Sequence, residues 1–361
     1  MRQPALLLAA ALASQAVAAT AQTITIDDLR APTSPAFVLL DVTPSSVERP
    51  ENPKSFAVNV INKLTSRSGF PQNYALEVAP YWLMSHPDLT FERYQNPGIG
   101  QSIAQTLSFS IATTPLQVAT TTAASSTSTS VGTRLGAGVS VNVWNGQPNP
   151  KIEPLINDLV KIDSDIADDV ISEQERPDDR TAPIKTAADK ARATDTALQI
   201  QQIDAQRLGF LLTIAAGQVW NYPGDVVETA QTDRRGIWVT PAYRFRVCGD
   251  DLSCDAFVDA IGVVRALHDP GKTMMWDVGG RFLWQPNKEL SVSVETLRRH
   301  GAASTPDSSR TVGMLEYRMT ADTSLYATFG QDFAKAVGNQ PLVSLMGVNV
   351  GFGNKATVRA Q

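Results

Sequence analysis

Hydrophobic and polar positions alternate most regularly over residues 273–333, in four segments with little between them. In the first, Trp276, Val278, Gly280, Phe282 and Trp284 fall on one side, and Asp277, Gly279 and Arg281 on the other. Successive side chains of a strand point to opposite faces, so the pattern predicts a ribbon with one apolar and one charged side. The next segment sets Leu290, Val292 and Val294 against Ser291, Ser293 and Glu295. Similar alternation covers 54–64 (Phe56, Val58, Val60), 73–85 (Leu76, Val78, Pro80, Trp82 and Met84 opposite Glu77) and 102–114 (Ile103, Leu107, Phe109, Ile111). It continues over 135–144, 209–220, 236–248 (Ile237, Val239, Pro241, Tyr243 and Phe245 opposite Arg244 and Arg246), 256–267, where the register is ambiguous, and 341–353. The total is about twelve strands of roughly 9–11 residues, the length of a tilted membrane-spanning strand.

Periodicity alone fits either a soluble sandwich with an apolar core or a barrel with an apolar exterior and a wet, charged interior. Turn lengths favour the barrel. The joints at 285–288 and 320–323 are tight, whereas 268–272, 300–309 and 334–340 are longer, and short turns on one side with longer loops on the other is the outer-membrane pattern. Pro80 and Pro241 fit a closed sheet poorly and are expected at bulges. Residues 117–132, rich in Ser, Thr and Ala, read as a loop. The segment 22–53, with an extended stretch at 36–42, reads as an extra strand-like piece or an internal plug.

Residues 151–206 break the strand pattern. Ile152, Leu155, Ile156, Leu159, Ile162, Ile166 and Val170 recur at helical spacing,. After Pro177 and Pro183 a second, Ala-rich helix follows, giving an inserted α-helical hairpin after the fourth strand. The insertion holds thirteen acidic and seven basic residues and so accounts for the chain's net charge of −5. Its acidic run at 163–169 lacks the glycine turn of a cation loop and reads as a solvated helix face. Ala covers little area, so the apolar side of the first helix is expected to meet the inner barrel wall or a protein partner. Strand parity puts the hairpin on the side of the tight turns.

Composition sets the compartment. Residues 1–21 carry one Arg, an apolar run and small residues, the form of a signal peptide,. No other stretch reaches the length of a membrane helix. The hydrophobic fraction of 43% and mean hydropathy of −0.12 are what alternating strands average to. In an exported chain, Cys248 and Cys254 are expected to form one local disulfide. The three histidines, His86, His268 and His300, lie at strand ends or in loops with no orienting partner evident, so no enzyme is expected,. No metal, cofactor or nucleic-acid site is evident either.

The stretch EYRMTADTSLYATFGQDF followed by PLVSLMGVNVGFG resembles the C-terminal hairpins of uncharacterised bacterial outer-membrane β-barrel proteins. NYALEVAPYWL and SPAFVLLDVTP resemble their N-terminal part. The resemblance implies an all-β fold, an antiparallel transmembrane β-barrel in the bacterial outer membrane with lipid around it, and carries no catalytic or binding residues. In such a barrel Glu77, Arg244, Arg246, Asp277, Arg281, Glu295, Glu316 and Arg318 would line the lumen, either as rings that tune ion selectivity or as pairs that neutralise each other and hold it shut. Two functions follow as expectations. One is a channel or transporter for small solutes or ions; the other is a structural or secretion-associated scaffold whose helical insertion binds a partner or plugs the barrel. Ser293→Arg, on the lumen side, is expected to be tolerated, and Val292→Arg, on the lipid side, is not.

Overall fold

A computed structural model describes residues 23–26, 34–41, 46, 56–63, 73–86, 88–122, 125–147, 152–175, 182–202, 207–247, 256–270, 274–301, 307–320, 322–333, 342–352 and 356–359. Residues 1–21, expected to be a signal peptide, and both cysteines of the expected disulfide, Cys248 and Cys254, lie outside them. In chain order the elements are β1 (Thr23–Ile26), α1 (Pro35–Leu39), β2 (Phe56–Lys63), β3 (Asn73–Val78), α2 (Pro80–Leu83), α3 (Phe91–Gln95), α4 (Ile99–Thr106), β4 (Ser108–Thr122) and β5 (Ser125–Gln147). There follow α5 (Ile152–Glu175), α6 (Ala182–Gln202), β6 (Leu208–Pro223), β7 (Gln231–Arg246), β8 (Phe257–His268), β9 (Met275–Gln285), β10 (Leu290–His300), β11 (Ser308–Arg318), β12 (Thr323–Gln331), β13 (Leu342–Phe352) and β14 (Ala356–Arg359).

β2 through β13 form one closed antiparallel barrel in which each strand pairs with the next in sequence. β13 closes it onto β2, with Phe352 opposite Phe56 and Leu345 opposite Lys63. Closure leaves no unpaired strand edge. Alternation then fixes the two surfaces. Trp276, Val278, Phe282, Trp284, Val292, Val294, Leu315, Tyr317 and Phe329 stand exposed on the outside, whereas Asp277, Arg281, Ser293, Glu295 and Arg299 are buried inside. Exposed aromatics gather toward the strand ends, where Trp144 lies edge-on to Phe210 at 6.5 Å and Tyr243 lies 4.5 Å from Phe245. An apolar exterior flanked by aromatic residues is the surface of a transmembrane barrel.

One end of the barrel carries the tight turns after β9 and β11, and is called here the turn end. The same end carries the connection α2–α4 between β3 and β4, the pair α5–α6 between β5 and β6, and a two-stranded sheet in which β1 pairs with β14 from Thr23 opposite Arg359 to Ile26 opposite Ala356. The other, loop end carries the β4–β5 hairpin, which pairs out to Thr122 opposite Ser125.

Five local expectations are corrected. Residues 102–114 are not one strand: α4 runs to Thr106 and β4 begins at Ser108. Gln105, which interrupts the apolar alternation, is a buried residue of that helix. β3 ends at Val78, and Pro80 opens α2, where its fixed φ and missing N–H suit the first helical position,. Pro80 therefore marks no bulge. Pro241 does lie in β7, but pairing with β8 stops at Val239 and resumes at Ala242 in the same register. The ladder skips the residue that has no N–H to give, and needs no bulge. Residues 117–132 are not a free loop, because β4 and β5 pair through them. The stretch expected to be extended at 36–42 is not so over its described residues: α1 occupies Pro35–Leu39.

α5 and α6 pack side by side, with Arg192 on Asp158 at 3.2 Å on their exposed surface. Leu159 and Ile162 of α5, both at most 1% exposed, join Ala193 of α6 and Ala79, Trp82, Leu89, Phe91 and Tyr94 of the β3–β4 connection in one apolar cluster. For Leu159 and Ile162, the cover that Ala-rich α6 cannot supply thus comes from that connection. Two polar contacts fasten it: the Trp82 indole donates to the Gln105 carbonyl at 2.8 Å, and the Arg207 guanidinium, at the foot of β6, donates to the Tyr94 carbonyl.

Candidate functional site

α1 lies inside the barrel. Ala36, Phe37, Val38, Leu39 and Leu40 are all at most 1% exposed, and they share a core with inward residues of the wall such as Leu211, Val219, Trp238, Ile261, Leu267, Leu297 and Val312. The helix is therefore shielded from solvent on every side, seated against the inner face of β4 to β7. The apolar core also explains the ambiguous register of 256–267. The inner side of β8 bears Phe257, Ile261, Val263 and Leu267 beside Asp259 and Arg265, and so looks as apolar as its outer side.

The wall is shaped to the helix. A Cβ on Gly138 would come within 2.8 Å of Pro35 Cβ, one on Gly136 within 2.9 Å of the Ala36 carbonyl oxygen, and one on Gly236 within 3.0 Å of Leu39 Cδ2. Those strand glycines remove the side chains that would otherwise occupy the place of α1. At its N-terminal end, the Ala36 N–H donates to Ser110 Oγ of β4 at 3.1 Å.

At its C-terminal end the helix is held by arginines. Arg134 of β5 donates to the Leu40 carbonyl and Arg234 of β7 to the Leu39 carbonyl, each at 3.4 Å. Cations suit the negative end of a helix, whose last carbonyls have no partner within it. Asp41 ends the segment in the left-handed region, φ 55°, which Asp tolerates better than most residues,. Its carboxylate bridges Arg234 and Arg299 of β10, the latter at 3.2 Å. Burial alone would raise the Asp41 carboxyl, but the charges of Arg299 and Arg234 outweigh it and hold the group well below the usual carboxylate range.

The clamp is embedded in a wider network. Arg234 also binds Asp269 at 2.9 Å, Arg134 binds Asp233, and Asp277 accepts from Arg299 at 2.8 Å and from Arg265 at 3.4 Å. The register shift between Val219 and Trp220 leaves Asp233 without a partner on β6. Such a bulge re-aims a side chain, here toward Arg134. Arg299 stacks on Phe333 at 4.1 Å and Arg265 on Trp238 at 5.4 Å. The chain returns through the interior at Ser46, whose N–H donates to Glu295 Oε1 at 3.0 Å and whose carbonyl accepts from Arg265. Glu295 in turn faces Arg310 at 3.4 Å, and Arg310 reaches Asp332 at 3.2 Å.

Of the eight residues singled out in the sequence, Asp277 and Glu295 belong to this network. Arg244 pairs separately with Asp259 at 2.7 Å, Arg281 donates to Ser293 Oγ at 3.0 Å, and Glu77 is buried on the inner side of β3. Arg246 and Glu316 are half-buried toward the turn end, and Arg318 donates to the Thr320 carbonyl of the tight turn at 3.2 Å. Reasoning from alternation passed over Arg134, Arg234, Arg265, Arg299, Arg310 and Asp41. The doublets Arg234-Arg235 and Arg298-Arg299 held the available signal, since one member of each must turn inward; nothing in the sequence pointed to Asp41. His86 stacks on Tyr81 at 3.8 Å and His300 meets Asp307 on the exposed rim at 3.1 Å. Among the described residues no three His, Cys, Asp or Glu converge to hold a metal, and no helix is long and apolar enough to cross a membrane.

No family model matches the chain, and no curated protein is similar to it in sequence. Among solved structures, it is similar to the KdgM porin (8% identity, TM-score 0.36, 82% of this chain and 98% of that one) and the NanC porin (9%, 0.36, 82% and 100%). It is also similar to the outer-membrane protein OmpT of Vibrio cholerae, at 8% identity and TM-score 0.28, covering 81% of this chain and 75% of that one. The barrel assignment rests on this chain's own closed strand order and apolar exterior.

Proposed function

We propose that the protein is a bacterial outer-membrane channel for small solutes or ions, held shut by its own N-terminal segment, and that it is not an enzyme. The observation that carries the reading is the sealed seat of α1: a glycine-lined wall below the helix, and arginines of three strands on its last carbonyls and on Asp41. In this reading passage requires the segment to leave its seat. The wall then exposed bears both signs close together, Arg134, Arg234, Arg265, Arg299 and Arg310 beside Asp233, Asp269, Asp277, Glu295 and Asp332. Neighbouring opposite charges cancel at a distance, so the open lumen would favour small polar solutes with weak ion preference. The turn end, with its helices, faces the periplasm.

Planar-bilayer recording tests this. The wild type is expected to be almost silent, and Asp41→Asn, which cannot balance two guanidiniums, to show frequent stepwise openings. Steady large conductance in the wild type would refute the plug. Silence of a folded Asp41→Asn variant would favour the second reading, a scaffold, which draws its support from the helical cap at the turn end.

A further inference from the structure

α4 is built inside out for a helix on a water-soluble surface. Its polar residues Ser102, Gln105 and Thr106 are buried against the protein, while Ile99 is 78% and Ile103 39% exposed. Thr106 is bonded inward: its Oγ1 accepts from the Asn142 N–H at 3.0 Å and donates to the Ser102 carbonyl at 2.8 Å. The apolar side is continuous with the outer surface of the barrel. One residue beyond the helix, β4 begins with Phe109 and Ile111 pointing outward, and α4 packs on β5, whose end presents Val143 and Trp144. α2, which also packs on α4, adds exposed Leu83 and Met84.

We infer that α4, with the end of α2, is an interfacial anchor whose apolar side lies at the boundary between headgroups and acyl chains of the leaflet at the turn end. The inference rests on the membrane reading above. A helix of eight residues, about 12 Å long, lies flat at such a boundary more readily than it crosses anything,. Lipid is the occupant that the position selects, because the exposed isoleucines extend a band that the barrel already presents to acyl chains. The consequence reaches the rest of the cap: α5 and α6 rest on the same β3–β4 connection, so the anchor sets their attitude to the membrane surface.

The test uses the full chain with Cys248→Ala and Cys254→Ala and one new cysteine, Ile103→Cys or Phe282→Cys, carrying an environment-sensitive fluorophore. Vesicles of phosphatidylethanolamine and phosphatidylglycerol carry a nitroxide either near the headgroup or at mid-chain, and heat-modifiable migration verifies folding. At position 103, quenching is expected to be several-fold stronger from the headgroup-proximal nitroxide than from the mid-chain one, with weak quenching by aqueous iodide. At position 282 the mid-chain nitroxide should quench. If 282 responds to lipid but 103 responds only to iodide, the anchor is overturned while the barrel reading stands. If 103 is shielded from iodide and lipid alike, a protein surface covers it and the anchor is again overturned. If 282 is blind to lipid, the membrane reading itself fails, and the anchor with it.

Discussion

Gly138 and Asp41 show how single side chains decide whether the lumen is filled. A Cβ on Gly138 would press on Pro35 and on the Ala36 nitrogen, both belonging to the plug, so Gly138→Val should displace α1 with little effect on the strand ladder. Its expected readout is a raised open fraction in bilayer recordings with unchanged heat-modifiability. Asp41 gives up charged hydrogen bonds to two arginines on substitution, about 2 kcal/mol in all, since Arg234 and Arg299 keep Asp269 and Asp277,. The pH behaviour follows from its sign. Its folded value lies below the ordinary 3.8, so its contribution to seating the plug is complete above about pH 4 and is lost only when the pH falls through the folded value,. Acidification from pH 7 to about 4.5 should therefore leave the wild-type protein silent in bilayer recordings; openings within that window would show that another group controls the seat. Ser293 corrects a simpler expectation. It is buried and accepts from Arg281, so Ser293→Arg would force two guanidiniums together and should not be tolerated. Val292→Arg, on the outside, is expected to cost about 2–4 kcal/mol near the midplane. Unfolding titrations in vesicles compare the two, and a harmless Ser293→Arg would mean that the interior has room for a second guanidinium beside Arg281.

At the scale of elements, the informative junction is between the helical pair and the β3–β4 connection. Leu159 is fully buried at that junction, and Leu159→Ala is expected to cost about 2–5 kcal/mol of local packing,. Since the cluster lies outside the barrel ladder, the loss should appear as faster proteolysis within α5 and α6 and not as barrel unfolding. Loss of heat-modifiability in this variant would show that the cap and barrel fold as one unit. The periodicity of α5 was legible in the sequence because a helix with one wet side must repeat its apolar residues every three or four positions. What covers it was not legible, because Trp82, Phe91 and Tyr94 sit on short turns of helix too brief to show any period, and Leu89 on the link between them.

For the molecule as a whole, a closed sheet with an apolar exterior predicts recovery in outer-membrane fractions and heat-modifiable gel migration. Release as a soluble periplasmic protein would contradict both. The same closure binds the two ends of the chain: β14, beyond the last barrel strand, pairs with β1, which leads into the plug.

The alternation of Trp276 to Trp284 and of Leu290 to Glu295 was enough to place those strands and to separate their two faces, because a period of two leaves a side chain no other choice; which face meets lipid it left open. It failed where periodicity is shared or absent. Ile99 and Ile103 satisfy a helix facing lipid as well as they satisfy a strand, and Pro35–Leu39 is too short to declare itself a helix. Only the tertiary structure decided what fills the barrel. The seat of α1 is made by Gly138, Gly236, Ser110, Arg134, Arg234 and Arg299, residues on separate strands that come together only when the sheet closes. Contacts between residues so far apart in the chain leave no local pattern, so the choice between a charged, open lumen and a neutralised, occupied one was made by the fold.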